Sequence, residues 1–192
     1  MHWSYCDVGR FSAEALERIY TNLSPSRKEH IDRLRRPEDK TRSLAAEGLL
    51  QTLLREHYGI TNAKLHRASN GRPYLANSHL HISLSHSDQM VACAVSEDPV
   101  GIDIEKIRPM SLKICRHLCV EEEKAYLLSD SGLTENDECQ DPEVLRRLFE
   151  IWTAKEAYFK KQGTGITDLK SVNVLHLERE THNLENYILT II

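Results

Sequence analysis

Two stretches of about twenty residues carry apolar side chains at helical spacing, and glycine stops each of them. Between Glu38 and Tyr58, the residues Leu44, Ala45, Leu49, Leu53 and Leu54 follow the 3.6-residue period, and Gly59 comes next. A second long helix is expected from Pro142 to Lys161, ahead of Gly163 and Gly165. After each helix the grammar changes to turns and strands. Asn70-Gly71-Arg72-Pro73 is turn chemistry. His81-Ile82-Ser83-Leu84-Ser85 alternates polar and apolar, His86-Ser87-Asp88 reverses the chain, and Met90 to Val95 returns as a buried strand. Val100 to Glu105 alternates again, and further strands are expected over Ser171–Glu178 and Tyr187–Ile192. Another helical stretch is expected over Ser111–Ser129, followed by a loop over 130–143 that holds six acids and no bases. This pattern confines the chain to an α+β fold of long helices on small antiparallel sheets. Its repetition points to a duplicated unit with a boundary at Ser96–Val100, although no residue-level repeat proves one.

The 192 residues are 40% hydrophobic, enough for a sizeable core. Residues 1–98 hold 13 Lys and Arg against 12 Asp and Glu, while residues 99–192 hold 12 against 17. The net charge of −4 argues against a nucleic-acid binder built on bulk positive charge. No apolar run reaches the ~18 residues of a membrane helix. Met1 to Asp7 has neither the basic head nor the apolar run of a secretory signal. A cytoplasmic protein without membrane or nucleic-acid partners is therefore expected. The five cysteines have no paired spacing, and Cys115-Arg116-His117-Leu118-Cys119 lacks the second cluster that a zinc site needs.

Three local patterns carry chemistry. Asp103 and Glu105, two apart on a strand, put both carboxylates on one face and Ile102 and Ile104 on the other. Paired carboxylates repel unless a cation lies between them, and hard oxygen ligands suit Mg2+; an exposed polar strand face is the plain alternative. On the second helix Glu156 and Lys160 sit at i and i+4, which is either a helical ion pair or part of a site. Ser85-His86-Ser87 is either ordinary turn chemistry or a set of donors for a phosphate.

In this order the pieces resemble a known family. Val100-Gly101-Ile102-Asp103-Ile104-Glu105, followed 52 positions after Asp103 by the Lys155 of Trp152-Thr153-Ala154-Lys155-Glu156-Ala157-Tyr158-Phe159-Lys160, resembles the two-part signature of 4′-phosphopantetheinyl transferases of the larger, surfactin-synthetase-activating type. Gly71-Arg72-Pro73, Ile82 to Ser87, Gly101 to Pro109 and Gly163-Thr164-Gly165 are similar to stretches of the same group.

The resemblance implies a pseudo-dimer of two α+β lobes, here 1–98 for coenzyme A phosphate contacts and 99–192 for metal and catalysis, with the active site in the cleft between them. It implies transfer of the 4′-phosphopantetheine arm of coenzyme A to a serine of an apo acyl or peptidyl carrier protein, with release of 3′,5′-ADP, by a monomer of holo-[acyl-carrier-protein] synthase type. It implies Mg2+, or alternatively Mn2+, held by Asp103, Glu105 and Glu156. Catalysis falls to Glu156, or a water at the metal, as base and to Lys160 at the leaving phosphate; Lys155, Lys160 and Asp103 contact the pyrophosphate side. Ser85, His86, Arg27, Arg42 and Arg72 line the coenzyme A site. Fatty-acid, polyketide and nonribosomal-peptide synthesis are the settings it implies.

Two departures stand out. His30 occupies a place where the family often has lysine, with Lys28 or Arg33 as substitutes. The Tyr187–Ile192 strand is expected to lack a return partner. Carrier docking is expected along Met110–Leu128 with Arg108, Lys113 and Arg116, the acidic 130–143 segment facing away.

Overall fold

The computed structural model describes residues 1–192 apart from Ser69, Asn77 and Ile166. In chain order the elements are β1 (His2–Asp7), α1 (Ala13–Asn22), α2 (Pro25–Arg33), α3 (Pro37–Tyr58), β2 (Leu65–Arg67), β3 (Pro73–Leu75), β4 (His81–Ser87), β5 (Met90–Ser96), β6 (Ile102–Lys106), β7 (Met110–Ser111), α4 (Cys115–Leu118), α5 (Glu121–Leu128), β8 (Glu138–Cys139), α6 (Pro142–Gln162), β9 (Glu180–Leu184) and β10 (Tyr187–Ile191). The chain is thus α+β, as the period changes imply.

The two long helices start and stop for local reasons. Pro37 opens α3 and Pro142 opens α6, where a missing N–H costs nothing. The Asp141 carboxylate accepts the N–H groups of Glu143 and Val144, both at 3.0 Å. Gly59 and Gly163 close the helices in the left-handed region, at φ 67° and 69°.

Two three-stranded antiparallel sheets form, in the orders β1-β5-β4 and β6-β10-β9. Strand alternation sorts their side chains. Val91, Cys93 and Val95 of β5 face the core under α3, together with Leu50 and Leu54. Ala92 and Ala94 face the other way, and with Ile102, Ile104, Leu189 and Ile191 they make a dry layer between the sheets. On the far side α6 packs on β6 and β10 over a third cluster that includes Leu148, Phe149 and Ile188. The small residues Ala92 and Ala94 let the sheets approach closely.

Four sequence expectations are corrected. The 111–129 stretch is not one helix: Cys119 and Val120 are extended, and α5 starts afresh because the Glu123 carboxylate takes the Val120 N–H at 2.9 Å. Ser171–Glu178 is not a strand. The side chains of Asp168 and Asn173 accept N–H groups at Lys170 and Leu175 and wind the chain into short 3-10 turns, so the strand begins at Glu180. Within 130–143 the pair Glu138–Cys139 bridges β7. The last strand is no orphan: β10 is the central strand, with β6 and β9 on its two sides. All five cysteines are buried and free. No helix among the described residues is long and apolar enough to cross a membrane.

Just ahead of β6, Gly101 lies close against the backbone of α6. A Cβ there would lie 1.8 Å from the Ala157 carbonyl oxygen and 2.9 Å from the Lys161 nitrogen, both backbone atoms with no freedom to move aside. Gly101→Ala should therefore cost about 2–3 kcal/mol, a fall of about 5–10 °C in melting temperature for a chain of this size. A melting temperature unchanged in calorimetry would show that α6 does not sit that close.

Candidate active site

The site grows from the alternation on β6. Ile102 and Ile104 are sealed in the inter-sheet layer, so Asp103 and Glu105 must face α6. The rotation of α6 is set by Thr153, whose hydroxyl lies 2.8 Å from that of Thr190, the β10 residue paired with Asp103. One turn on, the helix turns Glu156 toward the same cleft, and Lys160 one turn later.

Asp103 is the centre of the arrangement and is only 3% exposed. Its Oδ1 accepts the Lys160 ammonium at 2.7 Å and the Ser85 hydroxyl at 2.6 Å. Lys160 also donates to Ser85 Oγ at 3.0 Å and to the Ile102 carbonyl at 3.2 Å. Asp103 Oδ2 is buried without a hydrogen-bond partner among the described residues. Glu105 accepts the Ser87 hydroxyl at 2.8 Å, and Arg108 approaches the same oxygen at 3.4 Å. Burial raises the Glu105 carboxyl above its ordinary value; the Ser87 hydrogen bond works against this and Asp103 with it. Glu156 is pushed from its ordinary 4.5 up to about 7 by burial and then by Asp103, with Lys160 opposing. His86 is held below its ordinary value by desolvation, then by Arg42 and Lys160.

Asp103, Glu105, Glu156, Lys160, Ser85 and His86 line one cleft of about 270 Å3, which the structure therefore gathers as the sequence grouped them. Arg27 lines it too. Its guanidinium is buried, with Nε 3.1 Å from Glu47 and one Nη donating to Ser43 Oγ at 2.8 Å, while the other Nη has no partner among the described residues. An adjoining cleft of about 310 Å3 shares Glu156 and Lys160 and adds Arg72, which lies across Gly163 at the end of α6.

Two of the expected residues are elsewhere. Lys155 is fully buried on another side of α6, 2.8 Å from Glu123, and it donates to the carbonyls of Leu169 and Val172 at 2.6 and 2.7 Å. With its charge and donors used inside the core, it has no reach to the cleft. Arg42 lines neither cleft: it pairs with Asp39 and donates to the Asp88 carbonyl at 3.1 Å, where it holds the tip of the β4–β5 hairpin. The same Asp88 accepts Lys106 at 2.5 Å and the Tyr187 hydroxyl at 3.2 Å.

Lys28 and Arg33, the expected substitutes for lysine at His30, line neither cleft. Lys28 donates to the Thr21 carbonyl and Arg33 pairs with Glu29. The added cation is Arg67, which lines both clefts and which the sequence pattern did not reveal, because β2 and β3 are only three residues each. Trp152 packs on the core and also lines the cleft. The acidic segment does not face away from α4 and α5. Glu135 pairs with Arg116 at 3.2 Å and with Lys124 at 3.3 Å, so the segment is drawn onto those helices. Arg108 is turned over the Phe149 ring, 5.3 Å from its centre.

Among the described residues no group of three or more acidic, imidazole or thiol side chains is drawn together to hold a metal ion. The donor set nevertheless fits a hard divalent cation at an open site. Three carboxylates face one cleft, one buried oxygen lacks a partner among the described residues, and burial followed by the charge of Asp103 raises the Glu156 carboxyl.

Comparison with known proteins bears on both halves of the chain. Residues 99–190 match the family described as the 4′-phosphopantetheinyl transferase superfamily, and residues 10–98 match the one described as 4′-phosphopantetheinyl transferase, N-terminal. The chain is 34% identical over 150 residues to the 4′-phosphopantetheinyl transferase gsp of Aneurinibacillus migulanus, covering 77% of this chain and 59% of that protein. It is 29% identical over 159 residues to the 4′-phosphopantetheinyl transferase Sfp of Bacillus subtilis (strain 168), covering 81% and 67%. With the 4′-phosphopantetheinyl transferase HetI of Nostoc sp. it shares 29% identity over 179 residues, covering 88% and 72%. The matched region thus spans about three fifths of gsp and two thirds of Sfp.

Two outcomes follow from the charges. Lys155→Met leaves Glu123 buried without its cation and should cost about 3–5 kcal/mol in urea unfolding, with partial recovery in Lys155→Met/Glu123→Leu. A loss below about 1 kcal/mol would mean the pair is solvated. Glu156 holds its proton more tightly in the folded chain than in the unfolded one. Its contribution to stability is complete below pH 4.5 and is lost as pH rises to about 7. Without divalent ions, Glu156→Gln should therefore melt higher than the parent at pH 8 and converge with it toward pH 4.5; equal melting at both would refute the shift.

Proposed function

Because the chain belongs to the 4′-phosphopantetheinyl transferase superfamily, we propose that it transfers the 4′-phosphopantetheine arm of coenzyme A to a serine hydroxyl of an apo acyl or peptidyl carrier protein and releases 3′,5′-ADP. The observation that carries this is the buried Asp103, engaged by Lys160 and Ser85 on one oxygen and without a partner among the described residues on the other, at the meeting of β4, β6 and α6.

The reaction joins the serine oxygen to the phosphorus that bears pantetheine and breaks the bond from that phosphorus to the ADP oxygen. Asp103, Glu105 and Glu156 would hold Mg2+ or Mn2+, which neutralises charge on the pyrophosphate that would otherwise repel the incoming hydroxyl. Glu156, which lines the cleft beside Asp103 and Lys160, or a water at the metal would accept the serine proton. Lys160 keeps its ammonium fixed by three oxygens at the cleft and offers it to the leaving phosphate. His86 and the Nη of Arg27 that has no partner among the described residues are proposed as donors for the nucleotide phosphates, which Ser85 joins by turning its one proton from Asp103, and Arg72 serves the nucleotide end of the adjoining cleft. The fold is proposed to act as a monomeric pseudo-dimer of lobes 1–98 and 99–192. The matches that meet between residues 98 and 99, and the long helix on a three-stranded sheet in each half, support that division. The carrier is proposed to dock along residues 110–128, where Lys113 is exposed, in the cytoplasm.

The test is to incubate the protein with coenzyme A, Mg2+ and a panel of apo carrier proteins and to weigh the carriers. A mass gain of one phosphopantetheine arm is expected. No gain across acyl, polyketide and peptidyl carriers would overturn the assignment. Asp103→Ala should abolish transfer, and Lys160→Ala should lower kcat by about 100-fold or more with a smaller change in the KM for coenzyme A. Full activity in Asp103→Ala would remove the cation-holding role.

A further inference from the structure

The seam between β4 and β6 is built from serine hydroxyls. β6 is an edge strand, paired to β10 on one side only. On that side the Gly101 N–H bonds to Ile192 and the Ile107 N–H to Asn186, so the alternate N–H groups of Ile102 and Lys106 point toward β4. Main-chain carbonyls do not meet them. Ser83 Oγ accepts the Ile102 N–H at 3.0 Å, and Ser87 Oγ accepts the Lys106 N–H at 3.1 Å. The two contacts have the same 19-residue offset, and between them Ser85 and Ser87 reach Asp103 and Glu105 at a common offset of 18. The three odd-numbered serines of β4 thus run alongside β6 in fixed register.

Ser87 differs from Ser83 in what its proton does. A hydroxyl has one hydrogen to donate. The Lys106 N–H occupies an acceptor position on Ser87 and thereby fixes its rotation, so the proton goes to Glu105 Oε2 at 2.8 Å. Ser83 receives the equivalent N–H but has no hydrogen bond to a carboxylate among the described residues. We infer that Ser87 is a positioning residue: locked by the β6 backbone, it holds the Glu105 carboxylate in the orientation needed to share a divalent cation with Asp103 and Glu156. This rests on the role proposed above for those three carboxylates.

The experiment compares Ser87→Ala, Ser87→Thr and Ser87→Val with Ser83→Ala. Mn2+ is titrated into the full chain with coenzyme A present, and free Mn2+ is read by electron paramagnetic resonance against coenzyme A alone. Thermal melts and the Mg2+ concentration for half-maximal transfer accompany it. Ser87→Ala and Ser87→Val should weaken Mn2+ about 10-fold and raise the Mg2+ requirement alike. Ser87→Thr, which keeps the hydroxyl, should stay within about two-fold of the parent. Ser83→Ala should lower the melting temperature, having orphaned the buried Ile102 N–H, and leave Mn2+ affinity within about two-fold. Because Thr and Val are nearly isosteric, their contrast holds even where Ser87→Ala folds poorly. Equal Mn2+ affinity in the Thr and Val variants, or equal weakening by Ser83→Ala, would overturn the inference. Absence of Mn2+ binding by the parent would instead remove the cation-holding role and the inference with it; carrier modification that still proceeds would show that the transferase assignment itself survives.

Discussion

Asp103 is a carboxylate almost wholly withdrawn from water, and that withdrawal is unfavourable by several kcal/mol unless charge and hydrogen bonds compensate it. Compensation comes from two directions, the Lys160 ammonium on α6 and the Ser85 hydroxyl on β4. Three elements therefore have to arrive together before the buried charge is tolerable. The rest of the packing serves that meeting. Gly101 has no Cβ to hold α6 away, the two threonines on α6 and β10 fix its rotation, and alanines on β5 let the sheets close. One carboxylate oxygen is still left without a hydrogen bond among the described residues, and that residual electrostatic demand is what makes the cleft receptive to a cation.

Much of this was legible because it depends on period alone. Alternation along β6 separates Ile102 and Ile104 from Asp103 and Glu105, and the i, i+4 spacing puts Glu156 and Lys160 on one helix face. Glycine and proline punctuate α3 and α6 within a residue or two of where the helices end. What failed depends on contacts distant in sequence. Val172 and Val174 alternate like a strand, yet the backbone there bends into 3-10 turns around polar side chains, and Lys155 binds its carbonyls. Glu123 looks like one of three surface acids in a row, but it is the one that goes inside and restarts a helix. β1 shows almost no pattern because Cys6 alone of its six residues is buried, too little apolar burial to mark an alternation.

Lys155 and Lys160 show why residue type alone does not assign a role. Five residues at about 100° each put them about 140° apart around the helix. One direction leads into the core, where a lysine is tolerated only with a full set of acceptors, and the other into the cleft. The cations of the basic segment divide in the same way. Arg27 is sequestered with one nitrogen unpartnered among the described residues, Arg42 fastens a turn, and Arg33 pairs with a neighbour on the surface. Positive charge in that stretch is a collection of separate tasks rather than one basic surface.

The β4–β5 turn at Asp88, in the left-handed region at φ 51°, would ordinarily be the loosest part of a hairpin. Here it is fastened by side chains from α3, β6 and β10 at once. Its consequence is entropic. The strand end that carries His86 is immobilised when the chain folds, so a phosphate that reaches its ring meets a group already at rest. Little of the binding free energy is then consumed in stilling a loop, and more remains for distinguishing one phosphorylated ligand from another.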